Sequence, residues 1–141
     1  ADITAMTAEG SGICRIEGAG FQDEDIAIAA RHTIVSCEEL VSDEEMRADP
    51  NANTLPGLCV SAVVPMRCGA HPSQCYGYYD YDPTAMIAYD KASRTQEGFD
   101  AFAEEYLTLS HEEYLARIGE EHLASLRVHP GCGYVPGLRR K

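Results

Sequence analysis

Residues 69 to 83, Gly69-Ala70-His71-Pro72-Ser73-Gln74-Cys75-Tyr76-Gly77-Tyr78-Tyr79-Asp80-Tyr81-Asp82-Pro83, constrain the fold of this chain more than any other stretch. The run is too polar for a core strand and too rich in aromatics for a plain linker. Its glycines and prolines punctuate it into irregular backbone. Tyr76, Tyr78, Tyr79 and Tyr81 supply large amphipathic area at small entropic cost, each ending in a hydroxyl. The expected structure is an ordered loop or strand end that lines a site or a contact between subunits. The plainer alternative is a loop whose tyrosines cover a core edge. Residues alone do not separate the two, because aromatics populate both settings.

Before the run, the pattern is that of strands with intervening helices. Asp2 to Ala8 and Ile13 to Ile16 read as strands around the turn chemistry of Glu9-Gly10-Ser11-Gly12. Phe21 to Ala30 reads as a helix, with Asp23, Glu24 and Asp25 at its positive end and Ile26, Ala27 and Ala30 as its apolar stripe. Thr33 to Cys37 is a β-branched run expected to be a buried strand, and strand, helix and strand here suggest a βαβ unit with a parallel pair. Ser42 and Glu45 form a capping box ahead of Met46, and the helix they start should stop before Asp49-Pro50. Leu58 to Met66 reads as a further strand that ends, or lies at an edge, at Pro65.

After the run, the periodicity becomes helical. Pro83 suits the first position of a helix over Thr84 to Ala92. Thr95 caps a second helix with Phe99, Phe102, Ala103 and Tyr106 on one face. Ser110, with Glu113 at the box position, caps a third that turns Tyr114, Leu115 and Ile118 inward. Glu120 to Leu126 makes a short fourth. Pro130, Gly131, Gly133, Pro136 and Gly137 then forbid regular structure. The expected organisation is a single α/β domain over residues 1–141: an α/β part over 1–68, the tyrosine-rich loop over 69–82, a helical part over 83–126 and an irregular basic tail over 127–141.

With 141 residues, 45% of them hydrophobic and 24% charged, the chain suits one globular domain. No apolar run approaches the roughly 20 residues of a membrane helix. The net charge of −12 argues against nucleic acid, whose phosphates it would repel. Arg127, Arg139, Arg140 and Lys141 stand in a stretch without acids, which suits a solvated end or an anionic neighbour. The start at Ala1, just ahead of a strand-like run, suggests a processed start or a piece of something longer. Cys14, Cys37, Cys59, Cys68, Cys75 and Cys132 contain no CxxC. Cys14, Cys37 and Cys59 fall in apolar strand-like runs, so free thiols in a reducing cytoplasm are expected rather than a disulfide framework.

Four constellations carry candidate chemistry. Cys68, His71 and Cys75, with His129 and Cys132, are zinc-type ligands, but their spacing matches no common finger and Pro follows both histidines, so loop residues that happen to be Cys and His explain them better. Cys68 or Cys75 beside His71 is a candidate nucleophile, although Asp80 and Asp82 nearby should raise the thiol pKa. Glu9-Gly10 and Glu17-Gly18 set a carboxylate beside glycine, as a covalent site would use and as solvated turns also show. His71, held between Gly69-Ala70 and Pro72, can orient a carboxylate or thioester oxygen, or can simply bond a backbone carbonyl. Glycine-rich phosphate cradles are absent from the sequence.

Taken in order, several segments resemble the A (alpha) subunit of family I CoA-transferases, of the glutaconate type. These are Asp25 to Ala30, Thr33 to Leu40, Leu55-Pro56-Gly57, Val60 to Val64, Gly69 to Ser73 and Cys75 to Asp82. The resemblance implies an α/β layered fold around a mostly parallel sheet. It also implies a family polypeptide about twice this long, of which this chain would be the C-terminal half. The enzyme would be heteromeric, with the active site at the junction with a B (beta) CoA-transferase subunit. There a glutamate attacks an acyl-CoA thioester and carries CoA to an acceptor acid. In glutaconate-type members that glutamate lies on the B (beta) partner, and no glutamate here matches its motif, so no nucleophile is assigned to this chain. Coenzyme A is then a substrate, and no tightly bound cofactor or metal is expected. The tyrosine run becomes this chain's expected share of the site, with His71, Ser73, Tyr76, Tyr78, Tyr79 and Asp80 as pocket candidates. Relatives that hydrolyse CoA thioesters to open a steroid-derived ring are the alternative of the same fold. A non-catalytic zinc or interaction module is the alternative outside it.

Overall fold

The computed structural model describes residues 5–7, 10–129 and 133–138. Strands β1 (Ala5–Thr7) and β2 (Cys14–Arg15) pair antiparallel. Helix α1 (Asp23–Ala29) leads to β3 (Ile34–Cys37) and β4 (Leu40–Val41). Strand β4 runs parallel to β1 on the side away from β2, giving the sheet order β2-β1-β4. After α2 (Asp43–Ala48), strand β5 (Ala62–Pro65) pairs with β3 in parallel at four successive positions, forming a second sheet. Mixed helix and mainly parallel pairing agree with the α/β expectation.

The expected βαβ unit is drawn differently. Strands β2 and β3 lie in separate sheets, because the outer edge of β2 is occupied by Leu55: Cys14 donates to the Leu55 carbonyl at 2.9 Å and Leu55 donates back at 3.1 Å. The parallel partner of β3 is β5, reached across β4 and α2. The strand expected from Leu58 begins only at Ala62, and a 3-10 turn over Gly57–Cys59 precedes it. A Cβ on Gly57 would stand 1.7 Å from the Ser11 carbonyl oxygen, so this turn presses on the Ser11–Gly12 backbone and is bent to fit it. Cys59 therefore sits half-buried in a turn and not in a strand.

The first core cluster joins Cys14, Ala27, Val35, Cys37 and Leu55. Of the stripe expected on α1, only Ala27 is buried; Ile26 and the C-cap residue Ala30 face outward. Val41 and Met46 form a second cluster with Ile13. The five described cysteines are free thiols.

The helical half follows its caps. Asp82 accepts from the amides of Thr84 and Ala85 at 2.8 and 3.1 Å, with Pro83 opening helix α3 (Pro83–Ala92). Thr95 accepts from Gly98 at 3.1 Å to start α4 (Gln96–Phe102), which runs on into a π turn over Ala103–Leu107. Ser110 and Glu113 close a full capping box on α5 (His111–Ile118). At Ser42 the structure shows the serine half of the expected box, with Glu45 N donating to Ser42 Oγ at 3.2 Å. Gly119, at φ 92°, turns the chain into α6 (Glu120–Ser125). No helix among the described residues is long and apolar enough to cross a membrane.

The described part of the tail is not a solvated end. Asp80 N donates to the Leu126 carbonyl at 2.8 Å, Val128 N to the Tyr78 carbonyl at 3.1 Å and Val135 N to Asp80 Oδ2 at 3.0 Å. The tail thus docks on the tyrosine loop, over a third cluster of Cys75, Tyr79 and Leu126. Arg139, Arg140 and Lys141 lie outside the described residues.

Candidate functional site

Two carboxylates fasten the tyrosine loop, one at each end. Glu38, just past β3, accepts from the amides of Cys68 at 2.9 Å and Gly69 at 3.1 Å, and from the Tyr79 hydroxyl at 3.1 Å. That hydroxyl in turn accepts from Ala70 N at 2.9 Å. The polar groups of the loop mouth are thereby tied to one another, which suits the half-buried setting.

At the other end, Asp82 is 1% exposed and accepts four hydrogen bonds. Oδ1 takes the two α3 amides, while Oδ2 takes His71 Nε2 at 3.1 Å and His122 Nε2 at 2.7 Å. Burial alone would push this carboxyl up. The bonds from His122, the Ala85 amide and His71 outweigh it and hold the group below the usual carboxylate range. An ionised Asp82 only accepts, so both imidazole Nε2 atoms carry hydrogens. Burial pushes the His71 imidazole below its ordinary range despite the carboxylate beside it. Neutral His71 therefore accepts at Nδ1, and the Tyr114 hydroxyl donates to it at 2.6 Å. One carboxylate thus joins the loop, the start of α3, α5 through Tyr114 and α6 through His122. The His71–Pro72 peptide is cis.

The pocket candidates read from the sequence divide between the two faces of the loop. His71, Tyr79 and Asp80 are buried and engaged inside the protein; Asp80 accepts from Tyr81 N and Val135 N, both at 3.0 Å. Ser73 and Tyr76 are exposed and Tyr78 is half-buried, its hydroxyl donating to Glu39 at 2.7 Å. The Tyr76 side chain lies across Gly18 and Gly133, where an added Cβ would come within 3.0 Å of its Cβ and 2.8 Å of its ring. It borders a hollow of about 440 Å³ shared with Ile16, Phe21 and Asp23. His71 instead borders a separate cavity of about 800 Å³ among the helices.

The other constellations come apart. Among the described residues, no group of three His, Cys, Asp or Glu side chains is placed to hold a metal. His71 has both ring nitrogens engaged, and Cys132 lies outside the described residues. The Cys68 thiol is pushed up by its burial and then by Glu38, not by Asp80 and Asp82, which are turned toward backbone amides and histidines. Glu17 is exposed, and Glu9 lies outside the described residues. Sequence reasoning missed Glu38, Tyr114 and His122 as partners of the loop, because they approach it from 30 to 43 positions away and leave no local pattern. The hub role of Asp82 did leave one, since Asp before Pro is a helix-start signature.

No protein-family model matches the chain. It is 54% identical over 134 residues to the A (alpha) polypeptide of glutaconate CoA-transferase from Acidaminococcus fermentans, covering 94% of this chain and 42% of that one. It is 35% identical over 105 residues to the corresponding polypeptide of 3-oxoadipate CoA-transferase from Pseudomonas knackmussii, covering 74% of this chain and 36% of that one. The crystal structure of glutaconate coenzyme A-transferase from Acidaminococcus fermentans superposes with a TM-score of 0.87 at 53% identity, over 94% of this chain and 42% of that one. The chain therefore spans less than half the length of these relatives, and its match falls on the C-terminal part. It belongs with that part of the CoA-transferase alpha chains, as the sequence motifs suggested.

Proposed function

We propose that this chain is the C-terminal part of the alpha chain of a heteromeric CoA-transferase, which moves CoA between an acyl-CoA and a short carboxylic or dicarboxylic acid such as glutaconate. The high identity to the alpha chain of glutaconate CoA-transferase, sustained over nearly all residues, is the observation that carries this reading. The nucleophile is a glutamate of the beta partner. Its carboxylate oxygen attacks the thioester carbonyl, CoA leaves as thiolate, and an acyl anhydride forms. The thiolate then attacks the glutamyl carbonyl of the anhydride, which releases the first acid and leaves CoA on the enzyme as a thioester. The acceptor acid reverses these steps. Coenzyme A is a substrate throughout, and the setting is the cytoplasm.

The part played by this chain follows from the two faces of the loop. His71, Tyr79 and Asp80 hold it from within, with Glu38 and Asp82 at its ends. Ser73, Tyr76 and Tyr78 on the outer face meet substrate or partner. A loop fixed in this way shields a reactive anhydride from water.

The test is to co-express the full-length alpha chain with its beta partner and follow labelled CoA between acetyl-CoA and short dicarboxylic acids. Exchange is expected, and Ser73→Ala with Tyr76→Ala should lower it about tenfold, or some 1.4 kcal/mol in transition-state stabilisation. Thioester hydrolysis without exchange would replace this reading by the ring-opening hydrolase. A covalent intermediate trapped on this chain would overturn it.

A further inference from the structure

The cavity of about 800 Å³ in the helical half shares His71 and Asp82 with the hub that fixes the tyrosine loop, but none of the residues proposed to meet substrate or partner. Its size is that of a small-molecule site. Its wall is a continuous run of aromatic contacts: Tyr89 to Phe102 with ring centroids 5.5 Å apart, Phe102 to Tyr106 at 4.7 Å, Tyr106 to Tyr114 at 6.5 Å and Tyr114 to His71 at 5.7 Å. Such edges and faces receive a flat ring well. The π turn over Ala103–Leu107 contributes Tyr106 and Leu107 to the lining, and turns of this kind re-aim side chains and recur at functional sites.

Its charge sets the cavity apart from the rest of the molecule. The chain holds 23 acidic residues against 11 Lys and Arg. Among the described residues lining the cavity, Asp82 is the one carboxylate, whereas the bases besides neutral, fully engaged His71 are His111, Arg117 and His122. Asp82 is already engaged by four donors. His122 keeps 40% of its side chain exposed, with Nε2 on Asp82. With the Nε2 hydrogen given to Asp82, its Nδ1 donates to an anion only on the protonated ring. Arg117 pairs with Glu105 and lies 5.9 Å above the Tyr106 ring. An apolar wall beside basic groups matches an anion with an apolar body.

We propose that this cavity is a binding site for a flat, apolar organic monocarboxylate of the arylalkanoic kind, its ring against the Tyr89–Tyr114 wall and its carboxylate toward His122 and Arg117. Such a site needs neither thioester nor acceptor acid. Calorimetry on the full-length alpha chain in its complex, without thioester, compares 3-phenylpropionate with 3-phenylpropan-1-ol. The acid is expected to bind at least tenfold more tightly than the alcohol, and His122→Gln to cut that preference severalfold. Ala88→Trp, which fills the cavity from the exposed side of α3, should abolish binding and leave CoA exchange unchanged. Equal affinities for acid and alcohol, or no binding of either by the unaltered protein, would overturn the proposal. A complex that exchanges CoA but binds neither probe sinks this site and spares the transferase reading; one that binds the acid without exchanging CoA does the reverse.

Discussion

The strand-bearing half and the helical half both leave large side chains exposed, Ile87 at 54% and Leu107 at 67% in the second, but they are fastened differently. In the first, the buried cluster is built from Cys14, Ala27, Val35, Cys37 and Leu55, while Phe21 and Leu58 are each 90% exposed and Ile34 is 72% exposed. In the second, Tyr89, Phe102, Tyr106 and Tyr114 gather around a cavity above a buried ionic hub. Strand pairing and small-residue packing hold the first half. Caps and the Asp82 network hold the second. Local order in the strand half should therefore be indifferent to its outer apolar residues, and the helical half should depend on single polar atoms.

The largest expected effect is at Asp82. Asp82→Ala removes the acceptor of two amides and two imidazoles at once and should cost about 3–5 kcal/mol in denaturant unfolding, since each buried donor left without a partner costs about 1–3 kcal/mol. A loss under about 1 kcal/mol would mean that the hub does not hold the helical half.

Acid should separate the two halves next. Folding lowers the pKa of His71, so its neutral form is favoured in the native state while the unfolded chain takes up a proton below about pH 6.5. Stability is full above that value and falls as pH drops toward the depressed native pKa. The lowered pKa of Asp82 acts in the same direction further down, with its contribution lost below the ordinary carboxylate range. Hydrogen exchange between about pH 7 and 5 should show α3, α5 and α6 opening before β3 and β5, and His71→Gln should flatten the first part of that slope. Simultaneous opening of both halves would erase the distinction.

The smallest effect belongs to the exposed strand side. Phe21→Ser should change the stability of this chain by no more than about 0.5 kcal/mol, as for surface positions generally. A larger loss, measured by urea titration, would show that its ring is packed in solution.

How much of this was legible follows the range of each interaction. Thr95 and Ser110 announced their helices within four residues, and the Pro83 start was equally local. The tyrosine run is a series of hydrogen-bonded turns tied down by Glu38 and Asp82. What the sequence concealed was pairing between distant segments: Leu55 closing on β2, which dissolved the expected βαβ unit, and His122 reaching Asp82 across 40 positions. The burial of Ala27 in place of Ile26 was hidden for the same reason, since helical periodicity gives a stripe but not the side on which the next layer lies. Within the candidate site, residue types were visible and their facing was not. Tyr76 and Tyr79 look alike in sequence, yet one borders a hollow and the other is sealed over Glu38.

The docking of Val135 on Asp80 makes the stretch after Arg127 a clasp. Shortening the chain to Arg127 would withdraw a donor from a carboxylate sealed inside the protein, and the tyrosines would lose the strap that lies across them. Loss of the Val128 and Val135 contacts would be felt at Tyr78 and Asp80, far from them in sequence.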